Sequence, residues 1–140
     1  MGRFVELALR QAARSRCRQR VGAVLVKGNR VLAQSPNRFR NAPWVAPSHV
    51  TFHAEESLLR RVGDAAGAAV YVARLSGAGL PALAKPCARC QVALSGGGVL
   101  VAYYTTPEGV GALRLGRGAA DVHGGSGLGR VCSERSRCEC

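Results

Sequence analysis

Between residues 3 and 15 the apolar positions fall at Phe4, Val5, Leu7, Ala8, Leu9 and Ala12, with Gln11 among them and arginines on the other side. That stripe has helical spacing and predicts an amphipathic helix. Two short apolar runs follow, residues 21–26 and 31–33, around the turn-forming Lys27-Gly28-Asn29, and they predict a β-hairpin. Residues 36–51 hold three prolines and no sustained period, so they read as a loop. An irregular stretch of that length inside a single domain is usually either functional or disordered, and Phe39 and the sole tryptophan, Trp44, lie in it.

From His53 onward "HAEESLLRRV" combines helix formers with Leu58, Leu59 and Val62 for a buried face, and Gly63 stands where a helix would stop. Residues 68–75, "AAVYVARL", are β-branched and aromatic in the manner of a strand. A loop follows, and then a helix over 87–94 that begins just after Pro86, a residue suited to a first turn, and ends at Gly96-Gly97-Gly98. "VLVAYYTT" reads as a strand of a sheet interior. The order α-β-β-α-β-α-β predicts a three-layer α/β/α fold around a central sheet. Beyond Pro107 the pattern weakens: "PEGVGALRL" has the makings of one short helix, and the glycine-rich residues after it read as a mobile tail.

Composition narrows the class. A chain of 140 residues, 47% hydrophobic, suits one folded domain. Arginine or glycine interrupts every apolar run well short of a membrane span. The first residues, with Glu6 inside the apolar stretch, make a poor signal peptide, and the expected location is cytoplasmic. The net charge of +12 is concentrated: the first forty residues hold ten Lys or Arg against Glu6 alone. Such a field attracts phosphate, on a nucleotide or along a polynucleotide, although a solvated arginine-rich face would look the same in sequence.

The chemistry lies in two motifs at predicted helix starts. Cys87 and Cys90, in "KPCARC", are three apart, so on a helical turn their sulfurs share a side and can take two corners of a tetrahedron. A helix start also favours the thiolate. His53 would supply a third corner and leave the fourth open, as in a catalytic zinc site. Glu55, two residues after His53, is placed to move protons and not to bind the metal. His-x-Glu followed by Pro-Cys-x-x-Cys is a signature of zinc deaminases.

On those motifs and the element order, residues 3–106 resemble the cytidine/deoxycytidylate deaminase superfamily. "VGAVLVKGNRVLAQSPNRF" is similar to its first hairpin, and "KPCARCQVALSGGGVLVAYYT" to its second zinc motif, helix and strand, in the branch that includes deoxycytidylate and tRNA adenosine deaminases. The resemblance implies a cytidine-deaminase-like α/β/α sandwich with a mixed sheet, and a zinc-dependent deaminase domain over residues 1–107 with residues 108–140 as a glycine- and cysteine-containing tail. It implies Zn2+ on His53, Cys87 and Cys90, Glu55 as the proton shuttle, and Asn37 in contact with substrate. Ala54 and Pro86, at the two helix starts, and Trp44 in the long loop complete the expected substrate contacts.

The leading expectation for substrate is cytosine in a nucleoside or nucleotide, converted to uracil. The alternative is cytosine or adenine in single-stranded nucleic acid, suggested by the basic first third and by Arg38, Phe39, Arg40 and Trp44, where aromatics could stack on bases. A zinc-stabilised binding module without catalysis is the third reading, and assembly into a homo-oligomer stays open. Cys132, Cys138 and Cys140, with His123, could bind a second metal or simply stand near the chain end. His49 is a candidate pocket residue, and Cys17 a thiol either exposed among arginines or partly buried at a helix end.

Overall fold

In the computed structural model, which describes residues 2–39, 51–52 and 54–115, the chain order is α1 (Arg3–Ala13), β1 (Arg20–Lys27), β2 (Arg30–Pro36), β3 (Arg38–Phe39), β4 (Thr51–Phe52), α2 (Ala54–Arg61), β5 (Ala69–Leu75), β6 (Pro81–Ala82), α3 (Ala88–Gly96), β7 (Val101–Thr106) and β8 (Gly109–Arg114). Among the described residues six strands form one sheet in the order β2-β1-β5-β7-β8, with β6 paired to β5, and β3 and β4 form a separate short ladder. Only β5 and β7 run parallel; the other pairs are antiparallel, so the sheet is mixed.

Alternation along the strands creates the layers. Ala23 and Leu25 of β1, with Val70 and Val72 of β5, join Leu58 of α2 and Leu94 of α3 in one core cluster. Val24, Val26 and Ala73 turn the other way and pack with Ala8 of α1 and the partly buried Phe4, Leu7 and Tyr71. One helix therefore covers one face, and two cover the other. Leu25, Leu58 and Leu94 are fully buried, each contributing roughly 1.5–3 kcal/mol relative to exposure. On the α1 face Phe4, Tyr71 and Tyr103 form a row with ring centroids 5.3 and 4.9 Å apart. Burial, and then the neighbouring Tyr103, pushes the Tyr71 hydroxyl above its ordinary pKa.

The predicted α1 stripe is the buried one: Val5, Ala8, Gln11 and Ala12 face inward and Arg3 and Arg10 outward. The helix lies so close on β1 that a Cβ at Gly22 would stand 2.3 Å from both the Ala12 nitrogen and the Ala8 carbonyl oxygen. Only glycine permits that approach.

Two expectations change. Residues 109–114 form a strand and not a helix, paired with β7 from Val101↔Arg114 to Thr106↔Gly109. Pairing satisfies the outer edge of β7, and Gly111 leaves room for the ring of Tyr104 across the ladder. The folded unit therefore runs past residue 107: Leu115 is buried in the core, and its N–H donates to the Leu100 carbonyl at 2.8 Å. Within the stretch read as a loop, the short β3–β4 ladder joins residues 38–39 to 51–52. Among the described residues no helix is long and apolar enough to cross a membrane.

Candidate active site

Strand direction decides where the helix starts fall. The connections leaving α2 and α3 meet at one end of the sheet, where the Gly67 N–H donates to the Gly98 carbonyl and the Leu100 N–H to the Ala68 carbonyl, both at 2.9 Å. Gly98 makes this crossing with φ +89, and a Cβ there would lie 2.7 Å from the Ala66 Cα. Higher up, a Cβ at Gly97 would lie 3.1 Å from Leu59 Cδ2, so the C-terminal halves of α2 and α3 are neighbours. The helices pack side by side and feed parallel strands. Their N-terminal turns therefore share the opposite end, at the carboxyl edge of β5 and β7, where open α/β sheets place ligands.

The segment leading to α3 is fastened to that edge. Pro81 and Ala82 pair with Leu75 and Arg74. The fully buried Thr105 hydroxyl accepts from the Arg74 N–H at 3.1 Å and donates to the Ala82 carbonyl at 2.6 Å, while its own carbonyl accepts from the Ala84 N–H at 2.9 Å. Gln91 Nε2 donates to the Pro86 carbonyl at 2.8 Å, and the Gln91 N–H to the Cys87 carbonyl at 2.9 Å. Cys87 is thereby held as the N-cap of α3, one position outside the helix that was expected to include it. Cys90 sits in the first turn, 1% exposed, and Cys87 is partly exposed.

On α2 the first residue, Ala54, is fully buried in the core, and Glu55 beside it is 4% exposed. A buried carboxylate in a first turn is favoured by the helix dipole. The two cysteines have the donor chemistry and the three-residue spacing that suit zinc. Among the described residues no third candidate ligand joins them. His53 directly precedes α2, but it lies outside the described residues, as do Trp44, His49, His123, Cys132, Cys138 and Cys140.

Asn37 reaches the same edge, because β2 ends there beside the start of β1. It is buried, and its side chain accepts from the Ser15 hydroxyl at 2.5 Å and from the Val21 N–H at 3.1 Å, while Nδ2 donates to the Gln19 carbonyl at 2.8 Å. The residue expected at the substrate thus also clamps the α1–β1 connection. Cys17, in that connection, is buried, which decides against the exposed reading. Ser15, Thr105 and Gln91 escaped the sequence reading. The one available signal was a hydroxyl at the end of an otherwise apolar strand, Thr105.

The comparisons with known proteins bear on the family and the fold. Residues 2–105 match the family described as the cytidine and deoxycytidylate deaminase zinc-binding region. The chain is 39% identical over 103 residues to a tRNA-specific adenosine deaminase of Agrobacterium fabrum, covering 72% of this chain and 62% of that relative, so it spans less than two thirds of the relative's length. The fold is similar to that of the dCMP deaminase of cyanophage S-TIM5. The apo form gives a TM-score of 0.57 at 20% identity over 91% of this chain and 88% of that one. The complex with dCMP and dUMP gives 0.55 at 20% identity over 72% and 76%. Because the family match takes in both helix starts and the sheet edge they share, the chain belongs to the family defined by the zinc-binding region of cytidine and deoxycytidylate deaminases.

Proposed function

We propose that the protein is a zinc-dependent hydrolytic deaminase acting on a base carried in RNA, with adenine as the base. The observation that carries the reaction is the placement of the buried Glu55 and the Cys87–Cys90 turn at one sheet edge. Support for the substrate comes from the 39% identity to a protein named as a tRNA-specific adenosine deaminase. At 20% identity, the likeness to dCMP deaminases speaks for the fold alone. The nucleic-acid alternative is therefore preferred to the initial expectation of cytosine in a free nucleoside or nucleotide.

In this reading His53, Cys87 and Cys90 hold the metal. Bound zinc supplies a water acidic enough to act as a nucleophile near neutral pH. Glu55 takes one proton from the attacking water and delivers it to the ring nitrogen, then takes the second from the hydroxyl group so added and delivers it to the departing amine. The ring carbon gains the water oxygen and loses its exocyclic nitrogen, so one water is consumed and one ammonia leaves. Backbone groups at Ala54 and Pro86 flank the base at the two helix starts, and Asn37 borders it from the end of β2. The buried carboxylate of Glu55 at this edge argues against a binding module without catalysis.

The test is incubation of zinc-loaded protein with tRNA, with single strands containing adenosine or cytidine, and with free cytidine and dCMP, followed by nucleoside analysis for inosine and uridine products. Inosine in RNA is the expected result. Turnover confined to free cytidine or dCMP would overturn the choice of substrate.

A further inference from the structure

The connection from α1 to β1 has an in-and-out pattern that the reaction does not explain. In "RSRCRQR", Arg14, Arg16 and Arg18 are exposed while Ser15 and Cys17 between them are 9% and 5% exposed. The inward residues anchor the segment: the Ser15 hydroxyl donates to Asn37 and accepts from the Cys17 N–H at 3.1 Å. The buried side chains thus hold three guanidinium groups outward in a fixed stretch of chain. Arg20, next in the series, turns back and donates to the Ser76 carbonyl at 2.7 Å, closing the connection onto the end of β5.

Position gives this charge its meaning. β1 begins where β2 and β5 end, as the pairs Gly22↔Pro36 and Arg20↔Leu75 show, so the three arginines stand at the edge that carries Asn37 and the starts of α2 and α3. Glu6, the one acid among the first forty residues, is in the first turn of α1, about 12 Å from Arg14 along the helix and beyond a Debye length at physiological salt. Arg14 donates to Gln11 Oε1 at 3.4 Å and keeps further donors for a ligand. Of the other exposed bases among the described residues of the first third, Arg10 lies one turn before Arg14 on α1, whereas Arg3, Lys27 and Arg30 lie at the other end of the sheet, where Arg3 donates to the Asn29 carbonyl of the hairpin turn at 3.4 Å.

We propose that Arg14, Arg16 and Arg18 form a phosphate-binding strip that seats the backbone of single-stranded RNA beside the deamination site. The proposal rests on the reading that the substrate base is carried in a polynucleotide. It assigns a place to the backbone, which a site built for a lone nucleotide would not need.

The experiment measures anisotropy of a labelled single-stranded RNA oligonucleotide with the full, zinc-loaded chain across a salt series. It compares the wild type with Arg14→Gln/Arg16→Gln/Arg18→Gln and with Arg3→Gln/Lys27→Gln/Arg30→Gln, which loses the same charge at the far end; circular dichroism verifies that each variant is folded. The slope of log K against log salt is expected to shrink by about 0.7 for each lost contact, about 2 for the first variant. Between 50 and 200 mM salt the wild type then loses roughly twenty-fold more affinity than that variant. The far-end variant should keep the wild-type slope. Equal loss in both variants, an unchanged slope in the first, or no salt-dependent binding by the wild type would overturn the strip. Failure of the substrate reading appears separately, as absent turnover on RNA, because binding is measured without turnover.

Discussion

Replacing Gly22 with alanine tests whether α1 is seated on β1 as described. The added methyl would stand 2.3 Å from the Ala12 nitrogen, 2.3 Å from the Ala8 carbonyl oxygen and 2.7 Å from the Gln11 carbonyl carbon. All three are main-chain atoms, so no side-chain tip can swing aside. Over-packing usually costs about 1–3 kcal/mol, and a clash against helix backbone belongs at the upper end, about 3 kcal/mol. For a domain of this size that corresponds to a melting midpoint lower by roughly 10 °C. Urea denaturation of zinc-loaded protein should show a lower midpoint with the slope unchanged. Gly63→Ala, where nothing lies within 4 Å of the added carbon, is the control and should stay within about 0.5 kcal/mol of wild type. If Gly22→Ala melted with the wild type, the helix could not rest where it has been placed.

Glu55→Gln should keep zinc and the wild-type melting curve while reducing turnover by a factor of about 100 to 10,000, read by metal analysis beside the deamination assay; loss of metal would contradict a proton-transfer role. Cys90→Ala should lose zinc and stability together, since the sulfur is buried in the first turn of α3; full zinc content would refute its role as a ligand. Truncation after Leu115 should give soluble, zinc-loaded, active protein, whereas truncation after Pro107 removes β8 and the buried Leu115 and should give aggregate. Limited proteolysis and turnover of the two shortened chains measure this, and loss of fold or activity in the longer one would show that residues 116–140 contribute.

The elements visible in the sequence are those whose signal is local. The α1 stripe, the hairpin around Gly28, the helices after His53 and Pro86 and the apolar β5 and β7 each repeat a period within a dozen residues, so burial on one side is written in the order of side chains. Residues 109–114 were not readable in that way. Gly109 and Gly111 weaken any helix there, but strand pairing depends on β7 having an unpaired edge, which only the assembled sheet presents.

The motifs had the same division. Their place at two predicted helix starts, in the order of the deaminase motifs, made His53, Cys87 and Cys90 candidate ligands of one zinc site and Glu55 its proton carrier, because tetrahedral coordination needs particular donors at particular intervals. Bringing the starts of α2 and α3 to one edge required the parallel pairing of β5 with β7 and the crossing of their connections at Gly67 and Gly98. The tertiary structure also gave Asn37 its grip on Ser15, Gln19 and Val21, and placed Arg14, Arg16 and Arg18 at the site edge and Lys27 and Arg30 far from it. In the sequence these five basic residues are equivalent positive charges. Distance through folded space separates them, and that distance is set by strand direction and not by position along the chain.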